Sequence, residues 1–127
     1  MSKAKGISAE RELVHMFWKQ GFAAIRVAGS GSSKYPCPDV LAGNNVRKLA
    51  IECKSTKSNN QYFTQKEIDE LKEFSDLFGT ECWVAVRFDR MSWFFVSPED
   101  LKETREAYVV SKKTASDKGL LFEELIK

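Results

Sequence analysis

The run from Pro38-Asp39 to Glu52-Cys53-Lys54 constrains this chain more than any other stretch. Inside it, Val40-Leu41-Ala42 and Leu49-Ala50-Ile51 are short apolar runs joined through Gly43-Asn44-Asn45, the pattern of a β-hairpin. Side chains alternate faces along a strand, so Glu52 and Lys54 share one face while Ile51 and Cys53 take the other. Asp39 opens the partner strand, where pairing brings it near Glu52. Carboxylates gathered in this way repel one another, and a divalent cation makes the arrangement tolerable. A lysine beside them suits a phosphate or an activated water.

Charge is distributed unevenly around this hairpin. Residues 1–66 carry 11 Lys/Arg and 4 Asp/Glu, while residues 67–127 carry 9 and 14. The net +2 therefore conceals a basic half and an acidic half, which suggests one face for a polyanion. Three of the four acids in the basic half are Glu10, Asp39 and Glu52. The 127 residues suit one domain over the whole chain. Hydrophobic residues make up 43% of it, which argues against disorder. No apolar run approaches the ~20 residues of a membrane span, and the opening residues lack a signal-peptide core, so a cytoplasmic protein is expected. Cys37, Cys53 and Cys82 are odd in number and widely spaced, and His15 is the sole histidine. Neither a zinc site nor a disulfide framework is expected.

A first helix is expected from Ser8 to Gln20, capped by Ser8 and stopped at Gly21. Leu13, Val14 and Phe17 cluster on one side of it. Glu10 falls within that stripe and Glu12 nearly opposite, facing solvent. A buried carboxylate needs a cation, and the candidates for Glu10 are a metal, Arg11, Arg26 or Lys54; capping the first turn is the plainer role. Phe22–Ala28 reads as a strand. Gly29–Pro38 reads as a small-residue loop, either a surface linker or a mobile segment placing Ser30, Ser32 or Lys34 on a phosphate. It does not match a phosphate-binding loop that opens a helix with Gly-Lys-Ser/Thr. Ser58–Gln61 reads as a polar loop, and Tyr62-Phe63 as core residues or a nucleic-acid contact. Thr64 and Glu67 spell a capping box for a helix with the stripe Ile68, Leu71, Phe74, Leu77-Phe78. Asp69, Glu70, Glu73 and Asp76 form its solvated face, and Gly79 ends it. Glu81–Phe88 and Trp93–Val96 read as buried strands, Ser97-Pro98-Glu99-Asp100 as a short helix start, and Tyr108–Val110 as a small strand. Residues 111–118 read as a loose loop. The apolar tail must cover a core or a partner chain.

In order, the pattern Glu10 … Pro38-Asp39 … Glu52-x-Lys54, on helix, strand, hairpin, helix and strand, resembles the PD-(D/E)xK nuclease superfamily. Within it the chain is similar to the archaeal-type Holliday-junction resolvases. Gly6-Ile7-Ser8-Ala9-Glu10-Arg11-Glu12-Leu13 looks like their opening block, and Arg26-Val27-Ala28-Gly29-Ser30 like the next. Asp39-Val40-Leu41-Ala42-Gly43 and Ile51–Lys57 look like the catalytic blocks. The resemblance spans residues 6–97; the Gly29–Pro38 loop is longer than the family leads one to expect. It implies an α/β fold, a restriction-endonuclease-like central mixed β-sheet flanked by helices. It also implies a homodimeric endonuclease that cuts four-way DNA junctions symmetrically, with Mg²⁺ as cofactor, Mn²⁺ able to substitute, and no small-molecule cofactor. Glu10, Asp39 and Glu52 would be the metal ligands. Lys54 would act on the attacking water or the transition state, and Ser30 is the family's loop candidate for a catalytic role. Arg11, Arg26, Lys34 and Lys57 would hold DNA. Three rivals remain on the sequence: a nuclease of other DNA structures, a non-catalytic junction binder, and a purely structural self-associating protein.

Overall fold

The computed structural model describes residues 3–127; the leaderless reading of the chain start includes Met1 and Ser2, which lie outside the described residues. Helix α1 (Lys3–Lys19) leads into β1 (Ala23–Arg26), followed by β2 (Val40–Gly43) and β3 (Lys48–Thr56). Next come β4 (Asn60–Thr64), α2 (Gln65–Phe78), β5 (Glu81–Phe88) and β6 (Trp93–Val96). The chain closes with β7 (Lys102–Glu103), β8 (Ala107–Ser111), α3 (Lys112–Lys118), β9 (Leu120–Leu121) and α4 (Phe122–Leu125). One mixed sheet has the order β1-β2-β3-β5-β6-β9, and a smaller antiparallel sheet has the order β4-β8-β7. In the larger sheet β3 and β5 are parallel and the other neighbours antiparallel. A parallel pair needs a long crossover, which β4 and α2 supply.

The hairpin forms as its sequence dictates. Val40 pairs with Ile51 and Gly43 with Lys48. At the turn the Asn44 side-chain oxygen accepts the Val46 and Arg47 backbone N–H groups at 2.8 and 2.7 Å, the local bond that suits asparagine to turns. Alternation along β3 then feeds two cores. Leu49, Ile51 and Cys53 join Leu13 and Phe17 of α1 on one side, closed by Phe122 and Leu125 of the tail. Ala50 joins Phe63, Ile68, Leu71, Val84 and Val86 on the other. Phe17 meets Phe22 and Phe122 edge-on, with ring centroids 5.5 and 5.1 Å apart. The tail thus covers the chain's own core.

Several expectations are corrected. Residues 111–118 are not a loose loop: Ser111 accepts the Thr114 N–H as an N-cap and α3 follows, with Ala115 buried. The first helix begins at Lys3, with Ser8 inside it, because Ala4 and Lys5 favour helix. Glu12 is exposed yet bound to Arg87 of β5 rather than facing solvent alone. The expected polar loop at 58–61 shares residues with β4, whose Phe63 is buried and Tyr62 exposed. Leu77 and Phe78 are 83% and 63% exposed rather than core. Leu77 sits about 140° from the buried Leu71–Ser75 line. Phe78 and the exposed Ile25 line one groove beside β1 and β2. Gly21 and Gly79 have φ of +83° and +81° and end α1 and α2 as expected.

Candidate active site

Asp39 lies just before β2, buried at 8% exposure. Its backbone N–H donates to the Ile51 carbonyl at 3.0 Å, and its own carbonyl accepts the Val27 N–H at 2.8 Å. The peptide is thus clamped between β1 and β3. The carboxylate accepts the Cys53 N–H at 2.8 Å and the Ser30 hydroxyl at 2.6 Å. Ser30 opens a single 3-10 turn that follows Gly29, whose φ is +68°. The left-handed glycine turns the loop back onto Asp39.

Glu52 lies on the same side of the sheet as Asp39, because Asp39 precedes the Val40–Ile51 pair and Glu52 follows it. Burial pushes the Glu52 carboxyl up to about 9, helped by the negative charges of Asp39 and Glu67 and a hydrogen bond to Asp39; Lys54 partly offsets them. Burial and the Asp39 charge likewise raise Glu10 to about 7, against the opposing pull of Arg26. Glu10 projects from α1, and Arg26 Nη1 of β1 is 3.6 Å from its Oε1. Among the cations considered for Glu10, Arg26 is therefore the one in place. Glu10 and Glu52, from two further elements, thus each sense the Asp39 carboxylate between them.

Lys54 continues the Glu52 face. Its Nζ is 2.8 Å from Glu67 Oε2 and 6.0 Å from the centre of the Phe63 ring. It lines a groove of about 950 Å³ with Lys5, Lys57, Gln61, Arg87 and Arg90 among the other lining residues. Of the cations expected to hold DNA, Lys57 lines this groove and Arg26 stands at Glu10. Arg11 lies on the exposed side of α1 beside Ser8, Glu12 and His15. Lys34 is exposed on the loop, 5.9 Å from the Tyr35 ring. Neither Arg11 nor Lys34 lines the groove. The sequence reading missed Arg87 and Arg90. Arg87 pairs in register with Ser55, one residue past Lys54, and its signal was an arginine interrupting the apolar run of β5.

Hard carboxylate oxygens, two of them on groups whose charged form is disfavoured here, are a donor set suited to Mg²⁺. The side chains are not gathered into a closed cluster: no three acidic, histidine or cysteine groups among the described residues stand close enough to hold an ion as they are placed. Glu10 leans to Arg26, and Asp39 is occupied by Ser30 and Cys53. The donor chemistry fits a divalent cation, which these carboxylates would have to turn to meet.

The family model described as archaeal Holliday junction resolvase (Hjc) matches residues 1–127. The crossover junction endodeoxyribonuclease Hjc of Archaeoglobus fulgidus is 43% identical over 110 residues, covering 87% of this chain and 81% of that protein. The Methanocaldococcus jannaschii Hjc is 34% identical over 109 residues, covering 86% and 77%. The crossover junction endodeoxyribonuclease Hje of Sulfolobus acidocaldarius is 37% identical over 106 residues, covering 81% and 76%. The 1.6 Å structure of Archaeoglobus fulgidus Hjc, a Holliday junction resolvase, superposes with a TM-score of 0.90 at 38% identity, covering 96% of this chain and all of that one. The mixed sheet, its flanking helices and the acid-lined hairpin accordingly have one source: the chain belongs to the archaeal Holliday junction resolvase family.

Proposed function

We propose that this protein is a metal-dependent endonuclease that cleaves four-way DNA junctions, with Glu10, Asp39, Glu52 and Lys54 as its chemical centre. The observation that carries the reading is the Asp39–Glu52 pair, two acids brought together across the β2–β3 hairpin, two residues along β3 from Lys54, which lines a basic groove. Glu10, Asp39 and Glu52 would hold one or two Mg²⁺ ions. Such an ion supplies charge stabilisation at a phosphate and acidifies a water. Lys54 offers a cation to the phosphodiester as negative charge builds up there. Ser30 steadies Asp39 through its hydroxyl. Lys57, Arg87 and Arg90 track the sugar-phosphate backbone, which gives affinity without base identity. Selectivity for a junction then comes from shape.

Symmetric incision needs two centres, which a homodimer provides. Its surface is proposed to be the exposed Ile25, Leu77 and Phe78, with Phe78 stacked on Phe74 at 5.2 Å. An apolar groove of about 480 Å³ between Ile25, Leu41 and Phe78 lies beside them. Exposed apolar patches of this kind suit an isologous contact.

The test is incubation with a synthetic four-way junction, with and without Mg²⁺, resolved on a denaturing gel beside linear duplex and flap DNA. Paired cuts in opposing strands, dependent on Mg²⁺ and confined to the junction, are expected. Equal cutting of linear duplex removes the junction assignment. Binding without cutting makes the protein a junction binder instead.

A further inference from the structure

Glu67 sits at the third position of α2, where a capping box needs only one of its oxygens. Its Oε1 accepts the Thr64 N–H at 2.8 Å, and the Thr64 hydroxyl accepts the Glu67 N–H at 3.0 Å. The second oxygen, Oε2, takes the Lys54 ammonium from a different element, β3, at 2.8 Å. Because the capping box pins Oε1, Oε2 is a fixed acceptor rather than a swinging one. The Phe63 ring lies 6.0 Å from the same ammonium and adds a second restraint, since a cation is attracted to an aromatic face.

Lys54 has an alternative closer in sequence. Glu52 lies two residues earlier on the same face, about 7 Å away along the strand and within reach of a four-carbon side chain. A direct Lys54–Glu52 pair would spend the ammonium on a carboxylate that a cation needs. We infer that Glu67 is a positioning residue: the capping box of α2 holds the Lys54 ammonium clear of Glu52 and presents it to the groove where a phosphate lies. The inference rests on the reading of the site as a nuclease centre. It adds a part for helix α2, whose N-terminus sets the place of a side chain on the central sheet.

Glu67→Gln separates the two jobs of this residue, because the amide oxygen still accepts the Thr64 N–H while the charge facing Lys54 is gone. Thr64→Ala is the control: it removes the hydroxyl from the box and leaves the Glu67 carboxylate, with the Thr64 N–H still donating to it. Pulse acylation of the metal-free protein with an activated ester, read by mass spectrometry at Lys54 against Lys113, reports the ammonium's environment without any catalysis. In a Glu52→Gln background, where Glu52 no longer offers a carboxylate to recapture the ammonium, Glu67→Gln is expected to speed Lys54 acylation roughly threefold or more, since an unpaired amine gives up its proton more readily. With Glu67→Gln alone, single-turnover junction cleavage is expected to fall roughly tenfold or more, with junction Kd within about twofold and Tm close to that of the parent. Thr64→Ala is expected to lower Tm while acylating and cutting like the parent. Unchanged acylation of Lys54 when Glu67→Gln is added to Glu52→Gln overturns the inference. So does a loss of cleavage in Glu67→Gln that merely matches Thr64→Ala. The acylation result stands whether or not the parent cuts junctions, so failure of the clamp and failure of the nuclease reading are told apart.

Discussion

Glu52 and Glu10 hold their protons harder in the folded chain than in the unfolded one, at about 9 and about 7 against an ordinary 4.5. A carboxyl raised on folding contributes stability that is full below the unfolded value and is lost as pH rises through the folded one. The metal-free protein is therefore expected to lose thermal stability steadily between about pH 5 and pH 9. Mg²⁺ should restore more of it at the alkaline end, where the carboxylates are ionised. Differential scanning fluorimetry with and without Mg²⁺ measures both, and a Tm independent of pH across that window removes the crowded-acid account. Glu52→Gln should flatten the alkaline part of the curve, bind junctions and fail to cut them; retained cleavage in Mg²⁺ would exclude this site. Asp39→Asn should also abolish cleavage on the same gel while circular dichroism stays native, because one side-chain oxygen remains to accept the Cys53 N–H. Cleavage itself should slow as pH drops, since the acids and the water must both be deprotonated; a flat profile from acid to neutral argues against an activated water.

Among the elements, the hairpin shows how a turn is held as well as formed. Arg47, in the β2–β3 connection, donates through Nε and Nη2 to Glu81 of β5, each at 2.8 Å, and through Nη1 to the Leu125 carbonyl. The guanidinium holds the Glu81 carboxyl below its usual range. Arg47→Ala is expected to cost about 1–2 kcal/mol, several degrees in Tm, with junction cleavage at 25 °C unchanged. Thermal melts beside a cleavage assay check it, and an unshifted Tm would make the clasp ornamental. Nothing in the sequence pointed to this contact, because its partners lie 34 and 78 residues away. What was legible was local. The Asn44 turn, the Thr64–Glu67 box, the alternation that puts Glu52 and Lys54 on one face, and the inward Glu10 all follow from spacing. Residues 111–118 misled because Lys112, Lys113, Ser116 and Asp117 look like loop, while the single buried Ala115 and the Ser111 cap decide for helix. Leu77 and Phe78 misled because the periodicity of a helix tells which residues align but not where its cover ends.

At the scale of the whole molecule, the exposed Phe78 and Ile25 are the surface proposed for self-association. Phe78→Glu is expected to yield monomers by light scattering and to replace paired incision with slow single nicks, while the fold persists. A dimer that survives Phe78→Glu, with paired cutting intact, places the contact elsewhere. The alternation of β3 has a last consequence. Leu49, Ile51 and Cys53 seal one core, and Glu52 and Lys54 emerge on the reverse. A slip of one residue would drive Glu52 and Lys54 into that core and turn its apolar residues toward the groove. A strand that is wrongly threaded, or has frayed from its neighbours, therefore cannot bring Asp39, Glu52 and Lys54 together, so under the proposed reading misfolding would disarm the enzyme.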